Sequence, residues 1–200
     1  DDYLMHSGKD GMHVLISIDI DDFKALNFAT NTTFGDEVLC KIAEKLKEHF
    51  KTNSLVSRIG SDSFVVFLRD CFDIKEVLNS VEELYNSMHM SFDYLLTKQN
   101  VSVSIGVAQY PADGTSFTEL MNNADFATEM SKLRGKDMYL FYNKEMRKSF
   151  EENPSFALVS NEERVNIYDF KRVFCPAIDS ETESIVFYDF LVVILYIFST

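Results

Sequence analysis

The chain of 200 residues has no tryptophan, three prolines, three cysteines and few basic residues. Its 19 lysines and arginines stand against 32 aspartates and glutamates, which gives a formal charge of -13. Such a surface repels a phosphate backbone, so nucleic-acid binding is not expected, although a small anionic ligand bridged by a metal ion is compatible with it. Cys40, Cys71 and Cys175 show neither a paired spacing nor a cluster. This indicates ordinary thiols in a reducing compartment.

A leader segment and a long hydrophobic run are missing too. The chain opens with Asp1-Asp2-Tyr3, without a basic start followed by an apolar stretch. Its longest apolar run, Ile185 to Phe198, is interrupted by Asp189 and is shorter than the roughly 20 residues that cross a bilayer as a helix. We therefore expect a cytoplasmic protein with no membrane segment in this chain. An apolar content of 46% in 200 residues predicts one main domain.

The periodicity of apolar residues predicts an alternation of strands and helices. A buried strand over His13–Ile20 ends in a cluster of carboxylates. The next predicted elements are a helix over Gly35–Phe50, strands over Leu55–Ile59 and Phe64–Leu68, a helix over 74–88, a half-buried alternating strand over 101–107, a helix that begins after Ser116, and a strand over Met138–Tyr142. This order predicts a ferredoxin-like α+β sheet with helices on one face.

Two acidic positions are candidates for chemistry. Asp19 ends the first strand, and Asp62 lies in the connection between the second and third strands. If these strands are neighbours, the two carboxylates repel each other unless a hard cation such as Mg²⁺ or Mn²⁺ lies between them. From spacing alone, the alternative is that both are turn and strand-end residues.

Five blocks of sequence, taken in register, resemble the GGDEF family of diguanylate cyclases. They are Ile18–Asn27, Phe34–Leu39, Arg58–Phe64, Ser104–Ala108, and Asn123–Lys132 followed by Gly135–Asp137. The sequence Gly60-Ser61-Asp62-Ser63-Phe64 stands where the motif that names the family falls. The resemblance implies a nucleotidyl-cyclase fold, in which helices flank a central, mainly antiparallel sheet.

The resemblance also implies roles for individual residues. Metal ligation falls to Asp19, Asp62 and the Ile20 carbonyl, with Mg²⁺ or Mn²⁺ as the ion. Recognition of the guanine edge falls to Asn27 and Asp36. The positions near the phosphates are those of Lys24, Lys132 and Lys136, although each lysine taken alone is compatible with a solvated surface residue.

Two departures from the family motif weaken the expectation of catalysis. Ser61 places a side chain where the family has a glycine, in a position that could require a positive φ. Ser63 stands where the family has a glutamate, and the loss of that glutamate removes negative charge from a two-metal site. Because the family's chemistry needs two GTP-loaded domains facing each other in a homodimer, each defect counts twice.

No catalytic residue is assigned. The leading hypothesis is a guanine-nucleotide-binding module of cyclic di-GMP signalling, and the alternatives are an active diguanylate cyclase and a dimerisation or docking module that binds no nucleotide.

The remainder of the chain is predicted to be separate. The degenerate GGDEF domain covers 1–143, a charged connector 144–154, and a C-terminal segment 155–200 faintly resembles the start of an EAL phosphodiesterase domain, with Asp189 in place of the EAL glutamate. A strand pair or an apolar tail that packs on a partner is the alternative. We expect the chain to be a fragment of a longer protein with attached sensory or effector domains.

Overall fold

The structure is a computed structural model that describes residues 11–71, 73–152, 177–178 and 185–186. The chain divides into two compact units, residues 1–162 and 163–200, which are described separately. In the first unit the strands are β1 (Met12–Ile20), β2 (Ser54–Arg58), β3 (Ser63–Cys71), β4 (Met90–Tyr94), β5 (Thr97–Val101), β6 (Val103–Tyr110) and β7 (Met138–Phe141). The helices are α1 (Phe23–Ala29), α2 (Thr32–His49), α3 (Ile74–Ser87), α4 (Phe117–Leu133) and α5 (Lys144–Glu152).

Five strands form the central sheet in the order β2-β3-β1-β6-β7. All neighbours in it are antiparallel except β6 and β7, which run parallel. The central strand β1 is buried along almost its whole length because its neighbours flank it and helices cover its faces. A separate hairpin is formed by β4 and β5. The fold is therefore α+β with a mainly antiparallel sheet flanked by helices, as predicted.

The prediction that the helices share one face is wrong. The even-numbered residues Val14, Ile16 and Ile18 of β1 pack in one core with residues of α2 and α3. Ser17 points to the opposite face because side chains alternate along a strand, and its hydroxyl donates to Asp125 of α4 at 2.7 Å. Helix α4 therefore covers the second face of the sheet.

Glycine is required where α4 crosses β6. A Cβ on Gly106 would collide with the backbone carbonyl of Ala124 and with Thr128. The Thr128 hydroxyl donates to the Ser17 carbonyl at 3.2 Å and to the Ala124 carbonyl at 3.1 Å. The absence of a side chain at position 106 thus allows the helix backbone to lie directly on the sheet.

Several predicted boundaries differ from those observed. Helix α2 begins at Thr32 rather than Gly35, since the Asn31 side chain caps it by accepting from the Phe34 N–H at 2.9 Å. Short helix α1 was not predicted, and its N-cap, Asp22, lacks a side-chain capping bond. The strand predicted over 101–107 divides between β5 and β6, and β6 is buried on both faces rather than one.

Helix α5 occupies the segment that the sequence predicts as a connector. Its Arg147 guanidinium lies 4.3 Å from the centre of the Phe126 ring and donates to the Asn122 carbonyl at 3.2 Å and to the Asn123 side chain at 3.0 Å. All three contacts are with α4, so α5 packs on the first unit.

In the second unit, strands β8 (Ala177–Ile178) and β9 (Ile185–Val186) pair antiparallel. The other residues of the segment in which the sequence suggests an EAL-like start lie outside the described residues. Within the part of the chain that is described, no helix combines the length and hydropathy needed to span a membrane.

Candidate functional site

The end of β1 and the turn between β2 and β3 lie side by side, as the sequence suggested. Asp19 is directly opposite Ser63 on β3 and opposite Ser104 on β6. The Ile20 N–H donates to the carbonyl of Asp62 at 3.1 Å. Sheet pairing therefore brings the predicted metal residues Asp19, Ile20 and Asp62 to one edge of the sheet.

The Asp19 carboxylate uses both of its oxygens within the protein. Lys132, in the last turn of α4, places Nζ 2.7 Å from Oδ1, and the Ser63 hydroxyl donates to Oδ2 at 2.8 Å. The Asp19 side chain is 15% exposed and the Lys132 side chain 31%. Because both partners are largely withdrawn from water, this ion pair is less screened than one on the open surface.

The turn of the signature motif is held by Arg58. Its Nε donates to the Gly60 carbonyl at 3.0 Å, and its second guanidinium nitrogen donates to the Ser61 carbonyl at 2.6 Å. The Ser61 hydroxyl donates to Asp62 Oδ1 at 2.6 Å. Ser61 does not adopt a positive φ, so the suggestion that its position requires one is wrong. Phe64, the last residue of the motif, is 2% exposed and belongs to the core.

Asn27 offers a polar atom without a partner. Among the described residues, its Oδ1 is buried and has no hydrogen-bond partner. The Asn27 amide occupies the space that a side chain at Gly35 would need, because a Cβ there would collide with it. This contact places Asn27 beside the residue that precedes Asp36, whose own side chain is exposed.

An open cleft of about 650 Å³ borders this region. It is lined by Asp22, Lys24, Ala25, Asn27 and Phe28. Two of the residues predicted to bind nucleotide, one for the base and one for the phosphates, therefore share a cleft.

Lys136 lies at the same edge of the sheet. Its Nζ is 2.7 Å from Asp22 Oδ1, and this hydrogen bond raises the pKa of Lys136. Gly135, Lys136 and Asp137 all have positive φ, at 117°, 65° and 49°. Three consecutive left-handed residues turn the chain sharply between α4 and β7 and bring the lysine back to the end of β1.

Asp21 has a structural role that the sequence analysis missed. Its Oδ1 accepts from the Ser104 hydroxyl at 2.6 Å, and its Oδ2 accepts from the Ser102 hydroxyl at 2.7 Å and from the Asp137 N–H at 2.9 Å. Asp21 lies one residue beyond the end of β1, and its partners are distant in sequence, so no local pattern marked this role. This carboxylate ties β1 to the start of β6 and to the loop that carries Lys136.

The donor set is a poor fit to a divalent metal ion. The described residues contain no group of three or more His, Cys, Asp or Glu side chains arranged to hold one. Ser63 contributes a hydroxyl where the family has a carboxylate, and the charge of Asp19 is matched by Lys132. Magnesium favours octahedral oxygen coordination with carboxylate charge. Metal binding by Asp19, Ile20 and Asp62 therefore stays a prediction.

The chain matches the family model described as "Diguanylate cyclase, GGDEF domain" over residues 3–138. It is 29% identical over 143 residues to the bifunctional diguanylate cyclase/cyclic di-GMP phosphodiesterase MucR of Pseudomonas aeruginosa, an alignment that covers 72% of this chain and 21% of MucR. It is 31% identical over 134 residues to the signaling protein YkoW of Bacillus subtilis, covering 65% of this chain and 16% of YkoW. The chain thus spans about a fifth of the length of these curated relatives, or less.

Solved structures match over the same part of the chain. An EAL/GGDEF domain protein from M. capsulatus superposes with a TM-score of 0.63 at 31% identity, over 71% of this chain and 92% of that one. The GGDEF domain of TpbB, also called YfiN, from Pseudomonas aeruginosa superposes with a TM-score of 0.66 at 24% identity, over 71% of this chain and 89% of that one.

Proposed function

Because this chain belongs to the GGDEF family of diguanylate cyclase domains, we propose that it binds GTP or a related guanine nucleotide and serves as a regulatory module of cyclic di-GMP signalling. Synthesis of cyclic di-GMP is weak or absent in this proposal. The base is recognised by Asn27 and Asp36, and the phosphates by Lys24, Lys132 and Lys136.

The observation that carries the proposal is the buried Oδ1 of Asn27, which lacks a hydrogen-bond partner among the described residues. A buried polar atom left unsatisfied costs about 1–3 kcal/mol. Guanine presents N–H donors on its Watson–Crick edge, and adenine presents an acceptor at the corresponding ring nitrogen. Oδ1 faces Gly35, so the Asn27 amide would have to rotate toward the cleft, where a guanine N–H would donate to Oδ1 and recover that free energy, whereas the adenine ring nitrogen would not.

The expectation of weak or absent catalysis rests on Ser63. In the family, a carboxylate at this position adds charge to the metal site, which activates the attacking hydroxyl and stabilises the leaving pyrophosphate. A serine hydroxyl carries no charge, and here it donates to Asp19 instead. The residues proposed for recognition are retained, while a serine stands where the family has a charged residue at the metal site, which favours binding without turnover.

The relatives suggest what such a module does in a larger protein. This chain covers 21% of a protein that is named as a bifunctional cyclase and phosphodiesterase. We propose that the module pairs with a second copy of itself and passes nucleotide occupancy to attached domains.

Calorimetric titration with GTP, followed by analysis of the products, tests the proposal. Heat of binding without formation of cyclic di-GMP is the expected result. Cyclic di-GMP produced at an ordinary enzymatic rate would instead identify an active diguanylate cyclase. If GTP gave no heat of binding, either with or without Mg²⁺, the result would favour a docking module that binds no nucleotide.

A variant of Asn27 makes the test specific to the base. The change Asn27→Ala should weaken GTP binding by about tenfold or more, since about 1–3 kcal/mol separates a matched base from a mismatched one. It should also reduce the preference for GTP over ATP. Asn79→Ala is the matched control, because Asn79 is exposed on α3. Equal affinity of the two variants for GTP would refute the assignment.

A further inference from the structure

The charge that faces Asp19 in this structure is an ammonium group. Lys132 Nζ lies 2.7 Å from one carboxylate oxygen, and the Ser63 hydroxyl takes the other at 2.8 Å. A divalent ion would have to share this carboxylate, which is 15% exposed, with the Lys132 ammonium and the Ser63 hydroxyl. A charge removed from water in this way is costly to leave without a partner, so the lysine is held strongly.

The charge balance of the pocket points in the same direction. Asp19 and Lys132 neutralise each other, and Ser63 adds no charge. The remaining acidic member of the motif, Asp62, accepts a hydrogen bond from Ser61 through Oδ1. A hard cation bound here would meet the repulsion of Lys132, and the neighbouring carboxylate of Asp21 already accepts three hydrogen bonds.

We propose that Lys132 replaces the divalent metal ion in this site, so that the protein binds guanine nucleotide without Mg²⁺. An ammonium group has three N–H donors. One donor is used by Asp19, and the other two are available to phosphate oxygens of the nucleotide. Lys132 would then contact both the Asp19 carboxylate and the phosphate and would supply positive charge to both.

Other cations at this edge support a metal-free phosphate site. Lys136 is paired with Asp22, and Asp22 lines the same cleft as Lys24. Ammonium groups neutralise phosphate charge through charge-assisted hydrogen bonds and need no metal to do so. The inference rests on the proposed function, since it describes how the same nucleotide is held.

Binding of GTP in two buffers is the first test. Affinity measured by calorimetry should differ by less than about threefold between excess EDTA and millimolar Mg²⁺, because the phosphates do not depend on the metal. Lys132→Met should lower the affinity in EDTA by about tenfold or more, through the loss of a charge-assisted hydrogen bond. Lys41→Met, which removes a lysine paired with Glu44 at 2.9 Å on the surface of α2, is the control and should bind as the unchanged protein does.

The second test measures the binding of Mn²⁺ to the protein by electron paramagnetic resonance, in the absence of nucleotide. The unchanged protein should leave Mn²⁺ free at submillimolar concentration. The double variant Ser63→Glu and Lys132→Met, which restores a carboxylate and removes the ammonium, should bind Mn²⁺ at least about tenfold more tightly.

The two tests separate failure of the inference from failure of the proposed function. GTP binding that appears only with Mg²⁺, or tight Mn²⁺ binding that Asp19→Asn abolishes, would overturn the inference alone. The absence of GTP binding in both buffers would overturn the proposed function and, with it, the metal-free nucleotide site. In that case the Mn²⁺ measurement still decides whether Lys132 excludes the metal.

Discussion

Removal of the Asp21 carboxylate should destabilise the domain more than its position at the end of a strand suggests. The group accepts three hydrogen bonds, from the Ser102 hydroxyl, the Ser104 hydroxyl and the Asp137 N–H, at 2.7, 2.6 and 2.9 Å. In Asp21→Ala all three donors lose their acceptor at once. The loop of residues 135–137 also loses its attachment to β1.

The magnitude follows from these contacts. Hydrogen bonds to charged groups contribute about 1.5–3 kcal/mol each. Asp21 is partly exposed, so water can replace part of what is lost, and we expect a total decrease of about 3 kcal/mol in the free energy of unfolding. For a domain of this size that corresponds to a fall of about 6–12 °C in Tm. Asp21→Asn keeps one acceptor oxygen, so its free energy of unfolding should decrease by roughly half as much as that of Asp21→Ala.

Urea denaturation followed by circular dichroism measures the effect. Asp93→Ala is the control, because Asp93 is exposed on β4 and faces Lys98 across the hairpin, and it should cost less than about 1 kcal/mol. If Asp21→Ala and Asp93→Ala lose the same stability, the three hydrogen bonds do not have the role assigned to them. In that case Lys136 is positioned by its own turn.

Two further predictions concern protonation and catalysis. Burial lowers the pKa of His13, so its contribution to stability is fully present above the ordinary pKa of about 6.5 and is lost as the pH falls through that value toward the lower folded pKa. The free energy of unfolding should therefore decrease between pH 7 and pH 5, and His13→Gln should flatten this slope in denaturation curves. The double change Ser61→Gly and Ser63→Glu should raise the formation of cyclic di-GMP from GTP, as measured by chromatography of the products. An unchanged yield would show that another feature also blocks synthesis, the first candidate being Lys132 beside Asp19.

Much of the central sheet could be predicted from sequence because apolar periodicity records burial. The strand predicted over His13–Ile20 is observed as Met12–Ile20, and the helix marked by Ser116 begins at Phe117. In the latter, the Glu119 N–H donates to the Ser116 hydroxyl at 3.2 Å, as the capping-box spacing predicts. Helix α1 could not be found in this way, because it has seven residues and its N-cap makes no side-chain bond.

The hairpin of β4 and β5 escaped prediction for a different reason. It packs its aromatic residues against α2, with the Phe34 and Tyr94 rings 4.9 Å apart. The turn at Leu95 has a positive φ of 53° without the glycine or asparagine that usually marks one. Tertiary packing therefore decides this element, and local sequence does not.

The candidate site divides in a similar way. Residues that belong to recognised blocks, such as Asp19 and Lys132, could be named from sequence, and the structure brings these two together. Their pairing with each other could not be foreseen, because they are 113 positions apart in the sequence and a helix on the second face of the sheet carries the lysine. The role of Asp21 depends on three partners that are distant in sequence, and no local pattern encodes it.

The close contact of α4 with the sheet has a mechanical consequence. The helix has 17 residues and is therefore about 25 Å long. It carries Lys132 in its last turn, and Asn122 and Asn123, in its first half, are bonded to Arg147 of α5. The middle of α4 packs closely on β6 at Gly106. If a new partner for Lys132 tilted the helix slightly about this contact, the N-terminal half of the helix would move in the opposite direction. Nucleotide binding at Lys132 would thereby shift the part of α4 that contacts α5.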